Sequence, residues 1–117
     1  MAFFTQPKIS IHEGVNTAHI YDLVIIGGGP AGVSAASYAD QRGMSTLLLE
    51  EAMIGNNLYS LPSLEDYPFC CSEINNGESL AKHLTRFLAT LHTEVVYEKV
   101  VKLEDLGQKV KKIHTAR

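Results

Sequence analysis

The chain has 117 residues, of which 45% are hydrophobic and 20% are charged, and its mean hydropathy is +0.01. This length suits one domain, and no apolar run approaches the ~18 residues that a membrane-spanning helix needs. The formal net charge is -3 with Lys and Arg spread along the chain, so we expect neither nucleic acid nor a membrane as partner. Cys70 and Cys71 are adjacent, which is neither a CxxC redox pair nor a zinc-binding spacing, so we interpret them as loop thiols.

The first half of the chain predicts a βαβ unit. Residues 1–20 lack the apolar core of a signal peptide, and we expect a flexible leader in a cytoplasmic protein. Tyr21–Ile26 is a short apolar run typical of a buried parallel strand. Pro30–Arg42 is rich in Ala and Ser and predicts a helix that ends at Gly43. Ser45–Glu50 predicts a second apolar strand that closes with an acid.

The second half continues the alternation of helix and strand. Glu51–Asn76 is a long polar loop, and loops of this length tend to be functional. Glu78–Leu91 predicts an amphipathic helix that Asn76 or Gly77 could cap. Its apolar face consists of Leu80, Leu84, Phe87, Leu88 and Leu91.

The remaining residues predict further strands. Glu94–Leu103 is β-branched and extended, and Lys109–His114 predicts another strand after a turn. The order β-α-β-loop-α-β indicates an α/β domain with a parallel sheet.

The turn after the first strand predicts a dinucleotide site. Gly27, Gly29 and Gly32 satisfy the pattern G-x-G-x-x-G, with a strand before it and a helix after it. The N-terminus of that helix would hold a pyrophosphate. Glu50 follows 18 residues after Gly32, where its carboxylate would bind a ribose diol and repel a 2′-phosphate. FAD and NAD both fit this chemistry, and the long loop favours the larger FAD.

Five segments carry a resemblance to a known family. In chain order they read YDLVIIGGGPAG, LLLEEAMIGNNL, LEDYP, GESLAKHL and EVVYEKVVKLE. From about Tyr21 to Leu106, this series resembles the N-terminal FAD-binding part of thioredoxin reductase and its low-molecular-weight flavoprotein relatives. The resemblance implies a Rossmann-type FAD/NAD(P)-binding domain over residues 21–117.

The resemblance also implies particular FAD contacts. The glycine turn would lie against the pyrophosphate, Glu50 would bind the adenosine ribose, and the backbone of Val100 would meet the adenine. Asn57 and Asp66 would approach the flavin. The implied cofactor-binding residues are therefore Gly27, Gly28, Gly29, Pro30, Ala31, Gly32, Glu50, Asn57, Asp66 and Val100.

Three positions depart from the family pattern. Asn57 replaces a Gln and shortens the amide arm, while Asn56 replaces a glycine. Asp66 replaces an Asn, so a group that could donate a hydrogen bond becomes a carboxylate that, when ionised, only accepts. We therefore expect altered flavin chemistry or weaker affinity for FAD.

The family's second nucleotide domain, with its CxxC pair, has no counterpart in these residues. We therefore expect a truncated FAD domain with no catalytic residue and no metal, and NADPH only for the complete family enzyme. Unless the last strand folds back beside it, the strand Leu23–Ile26 lacks a second neighbour, which predicts a bare sheet edge and a homo-oligomer or a complementary chain. Two alternatives remain open: a related flavin reductase of ferredoxin–NADP reductase type, and a non-catalytic remnant or interaction module.

Overall fold

The computed structural model describes residues 2–4, 9–10, 18–64, 71–105 and 111–116. The chain forms eight strands, two α-helices and one 3-10 helix over these residues. The strands are β1 (Ala2–Phe4), β2 (Ile9–Ser10), β3 (Ala18–His19), β4 (Leu23–Ile26), β5 (Thr46–Leu49), β6 (Glu94–Val96), β7 (Val100–Asp105) and β8 (Lys111–Thr115). The helices are α1 (Pro30–Gln41), the 3-10 helix (Asn56–Ser60) and α2 (Gly77–Leu88).

The main sheet has four strands in the order β1-β4-β5-β6. Strands β4, β5 and β6 are parallel, and Leu23 lies opposite Thr46 in the first pair. The predicted parallel α/β architecture is therefore confirmed. In this order the first two strands of the βαβ unit are direct neighbours, as in a dinucleotide-binding fold.

The outer edge of β4 is covered, so the predicted bare edge is wrong. Strand β1 pairs with β4 in antiparallel fashion, and Phe3 lies opposite Val24. The expectation of a loosely ordered leader therefore does not hold for Ala2–Phe4. Sequence reasoning missed this strand because a three-residue segment carries too few positions for a periodic pattern.

The apolar core lies on both faces of the sheet. One face packs Leu23, Ile25 and Leu48 against the helices, and the small side chains of Ala36 and Ala39 let α1 lie close to the strands. The other face forms a second buried cluster, which consists of Tyr21, Val24, Leu47, Leu49 and Ile113. Since both faces are covered, the strands are apolar without alternation, as parallel strands usually are.

Helix α2 begins with a capping box. The Asn76 side chain accepts a hydrogen bond of 2.7 Å from the Ser79 amide, and Ser79 Oγ accepts one of 3.1 Å from the Asn76 amide. The helix therefore begins one residue before the predicted start, and it ends at Leu88 rather than Leu91. The predicted apolar face is wrong at Phe87, which is exposed.

The predicted strand Glu94–Leu103 is divided into two. Strand β6 ends at Val96, where the Val96 carbonyl accepts a hydrogen bond of 3.1 Å from the Glu50 amide, just beyond the end of β5. Strand β7 begins at Val100 and pairs with β8 in an antiparallel hairpin outside the main sheet. The sequence runs through this break without Gly or Pro, because the break depends on where the neighbouring strand stops.

Candidate functional site

The turn after β4 requires glycine at two positions for two different reasons. Gly27 has a φ of 107°, which side chains disfavour, and its amide donates a hydrogen bond of 2.8 Å to the Leu49 carbonyl. A Cβ on Gly32 would lie 2.0 Å from the Gly27 carbonyl oxygen. These contacts hold the start of α1 close to the ends of β4 and β5.

The N-terminus of α1 is open at the position that faces a ligand in this type of fold. Gly29 is the N-cap residue in an extended conformation, and a Cβ there would meet no protein atom within 4 Å. Gly29 has no side chain to cap the helix, and the first turn contains no acidic residue. The first turn of α1 therefore supplies no acidic side chain of its own to offset the partial positive charge of its amides.

Glu50 is fixed beside this turn by two backbone amides. Its Oε1 accepts a hydrogen bond of 2.8 Å from the Gly28 amide, and its Oε2 accepts one of 2.8 Å from the Ala52 amide. An ionised carboxylate can accept about four hydrogen bonds. Glu50 therefore keeps acceptor capacity for a hydroxyl-bearing ligand while its orientation is already set.

A cavity of about 430 Å³ lies between the glycine turn and the segment after β5. Four of the predicted binding residues line it, namely Gly29, Pro30, Glu50 and Asn57. Five further residues complete its wall: Glu51, Ala52, Gly55, Asn56 and Leu58. Open backbone at one end and carboxylates and amides along the other wall suit a ligand that carries both phosphate and sugar groups.

Gly55 is a residue of the cavity wall that sequence reasoning missed. It has a φ of 73°, and its amide donates a hydrogen bond of 2.9 Å to the Gly28 carbonyl. The loop after β5 is thereby attached to the glycine turn. The sequence does contain a signal for this turn, because LLLEEAMIGNNL has a glycine followed by two asparagines, and both residue types favour turns with positive φ.

The other predicted residues lie around the cavity or beyond it. Gly28 is buried and contributes its amide to Glu50, while Ala31 is exposed in the first turn of α1. Val100 begins β7 and packs against the second apolar cluster. The predictions for Asp66 and Cys70 fall outside the described residues.

An ion pair lies at the rim of the cavity. Lys99 Nζ is 3.8 Å from Glu51 Oε1, and both side chains are more than half exposed. Such exposed pairs contribute little to stability. The pair does link Lys99, the residue directly before β7, to Glu51 in the cavity wall.

The donor set of the site fits a dinucleotide rather than a metal ion. Within the described ranges, no group of three His, Cys, Asp or Glu side chains could hold a metal ion. The open space over Gly29, the uncapped helix and the oriented Glu50 carboxylate match the needs of a pyrophosphate and a ribose.

No helix in the part of the chain that the structure describes is long and apolar enough to cross a membrane.

The sequence profile of the pyridine nucleotide-disulphide oxidoreductases matches residues 21–116, which include the glycine turn, Glu50 and the cavity wall. The chain belongs to this family. Within the family, it is 34% identical over 96 residues to the thioredoxin reductase of Ureaplasma parvum. That alignment covers 80% of the chain and 29% of the relative.

Two solved structures show the same relationship in three dimensions. Thioredoxin reductase of Lactococcus lactis superposes with a TM-score of 0.72 at 37% identity, over 80% of this chain and 30% of that one. A ferredoxin-flavin thioredoxin reductase of Clostridium acetobutylicum superposes with a TM-score of 0.70 at 27% identity, over 79% of this chain and 31% of that one. The chain thus spans under a third of the length of these oxidoreductases.

Proposed function

We propose that this chain is the FAD-binding portion of a thioredoxin reductase-like flavoprotein that passes electrons from NAD(P)H through FAD to a disulfide. FAD would supply the two-electron chemistry between a nicotinamide and a cysteine pair. The residues of this chain would bind and orient the cofactor. Its family membership and the geometry of Glu50 support this role.

The observation that carries the proposal is the fixed carboxylate of Glu50 beside an uncapped helix N-terminus. Glu50 is held by the amides of Gly28 and Ala52, so a ribose diol would meet acceptors that are already oriented. Gly29 leaves room for phosphate oxygens to approach the backbone. A cofactor with a free 2′-phosphate would bring negative charge against Glu50, so we propose that this site selects FAD over NADP.

Asn57 and Asp66 are proposed to tune the flavin end of the cofactor. Asn57 lines the cavity and offers an amide that can donate or accept hydrogen bonds. Asp66 would place an acceptor-only carboxylate near a flavin that becomes more negative when reduced. We propose that Val100 contacts the adenine through its backbone, at the opposite end of the cofactor.

Cofactor binding is tested by a visible absorption spectrum of the purified chain, recorded before and after incubation with FAD and desalting. We expect a flavin band that survives desalting, and weaker retention in the Glu50→Gln variant. Isothermal titration of the chain with FAD, NAD and NADP in separate experiments measures its selectivity among the three dinucleotides. A folded chain that retains no flavin would contradict the proposal and would favour the non-catalytic interaction module.

The electron donor separates two versions of this function. One structural neighbour bears the name ferredoxin-flavin thioredoxin reductase. Reduced ferredoxin is therefore the second electron donor that we consider, beside NAD(P)H. Dye reduction, first with NADPH and then with reduced ferredoxin, distinguishes the two donors when it is measured on a flavin-loaded protein that includes the family's second nucleotide domain. We propose a cytoplasmic location, which fractionation of cells that express the tagged chain would test.

A further inference from the structure

The edge of β4 that faces away from β5 would expose unpaired backbone groups if no further strand lay beside it. Leu23, Val24 and Ile25 are between 0 and 3% exposed, and β4 is apolar over its whole length. A strand of this kind with an open edge offers unpaired backbone groups to any other extended chain. The only described strand on this side is β1, which is three residues long.

The cover comes from outside the family region of the chain. The family match begins at residue 21, whereas β1 is formed by Ala2–Phe4. In a dinucleotide-binding fold, the position beside the first strand belongs to a later, parallel strand. Strand β1 occupies that position in the opposite direction, with Ala2 opposite Ile25 and Phe4 opposite Leu23.

We infer that β1 is a removable cover of the β4 edge, and that it prevents β4 from pairing with β4 of a second copy of this chain. The edge already accepts an antiparallel partner, because β1 is antiparallel to it. Two copies of one strand related by a two-fold axis are also antiparallel, so the β4 edge is complementary to itself. This inference rests on the sheet topology and holds whether or not the chain binds FAD.

The test compares the full chain with a variant that lacks residues 1–8, which removes β1 and keeps β2, and with Phe3→Pro. Proline at the central paired residue of β1 removes an amide from the strand and disfavours its pairing. Phe3→Val is the matched control, since valine keeps the extended conformation. We expect a mean mass at least twofold higher for the truncated and proline variants, measured by light scattering after gel filtration at equal concentration.

Amide hydrogen exchange shows which strand becomes exposed when β1 is lost. In the truncated chain at high dilution, we expect Leu23–Ile26 to exchange at least tenfold faster, while Thr46–Leu49 of β5 stays protected. A synthetic peptide of residues 1–8 should restore that protection and lower the mean mass, whereas a scrambled peptide should not. Equal mass and equal exchange in all variants would overturn the inference. Loss of protection in β5 would also overturn it, because β1 would then support the whole domain.

Discussion

The Gly28 amide donates a hydrogen bond of 2.8 Å to Glu50 Oε1, which joins the glycine turn after β4 to the acid that follows β5. The second oxygen of Glu50 accepts a bond from the Ala52 amide. One carboxylate therefore holds both halves of the candidate site, the glycine turn after β4 and the segment after β5. A ligand that bridges them would meet a site whose acceptor is already in place.

Glu50→Gln should weaken FAD binding more than it weakens the fold. The amide keeps one acceptor but loses the charge that strengthens the bonds from Gly28 and to a ribose hydroxyl. We expect the Kd for FAD to rise about tenfold, equivalent to ~1.4 kcal/mol. Quenching of flavin fluorescence measures this change.

The matched control for this variant is Glu78→Gln. Glu78 is exposed on α2 and forms an ion pair with Lys82, at 3.7 Å and away from the cavity. Its Kd for FAD should equal that of the unaltered chain. Equal affinities for the Glu50 and Glu78 variants would exclude Glu50 from the binding site.

Gly29→Ala and Gly32→Ala should separate cofactor binding from folding. A methyl group on Gly32 would lie 2.0 Å from the Gly27 carbonyl oxygen, so we expect a loss of roughly 1–3 kcal/mol in the free energy of unfolding. A methyl group on Gly29 would meet no protein atom, so its loss should stay within about 1 kcal/mol.

Gly32→Ala should lose more stability than Gly29→Ala, whereas Gly29→Ala should lose more affinity for FAD. Gly29→Ala places its methyl group in the open space that we assign to phosphate, and its Kd should rise at least tenfold while the fold is retained. Urea denaturation and flavin titration of the same preparations measure both quantities. If Gly29→Ala binds FAD normally, the phosphate position is elsewhere.

Tyr21→Phe should change how stability depends on alkaline pH. The Tyr21 hydroxyl donates a hydrogen bond to Glu94, which links a position two residues before β4 to the first residue of β6. Burial raises the pKa of the Tyr21 phenol above its ordinary value of 10.0, and the bond to Glu94 raises it further. Ionisation is therefore easier in the unfolded chain, so this contribution to stability is complete below pH 10 and is lost as the pH rises above it.

We expect Tyr21→Phe to cost roughly 1–2 kcal/mol at neutral pH. Between neutral pH and pH 11, its melting temperature should fall less than that of the unaltered chain. Tyr38→Phe is the control, because Tyr38 is exposed and its ring still lies over Arg42 after the change. The same alkaline slope in all three proteins would show that Tyr21 does not titrate with unfolding.

Asp40→Asn should reduce the loss of stability in acid. Asp40 on α1 accepts hydrogen bonds from the backbone amide and from the ring of His92, at 2.9 and 3.0 Å. These bonds lower the pKa of Asp40 below its ordinary value of 3.8. The contribution is therefore present above about pH 4 and is lost as the pH falls through the lowered pKa.

Melting temperatures measured from pH 6 to pH 3 check this prediction. The unaltered chain should lose stability more steeply below pH 4 than the Asp40→Asn variant. Glu73→Gln, at an exposed position outside helices and strands, serves as the control and should follow the unaltered chain. Parallel curves for the Asp40 variant and the unaltered chain would contradict the assigned role of the His92 contact.

The sequence alone determined the βαβ unit and the place of its glycine turn. Apolar runs, Ala-rich spacing and G-x-G-x-x-G act within a few residues, so their physical effects can be read locally. Gly27 and Gly32 were assigned by this local chemistry. In the structure Gly27 has a positive φ that side chains disfavour, and a Cβ on Gly32 would clash with the Gly27 carbonyl oxygen. The capping role of Asn76 followed from the same kind of local hydrogen bond.

Only the tertiary structure decided the features that depend on distant partners. Strand β6 ends at Val96 because β5 ends beside it, although the sequence stays β-branched beyond that residue. Gly55 joins the cavity through a bond to Gly28, and Ala2–Phe4 pairs with β4 across a long separation in sequence. Such contacts depend on which backbone groups the fold leaves open, and no local pattern records that.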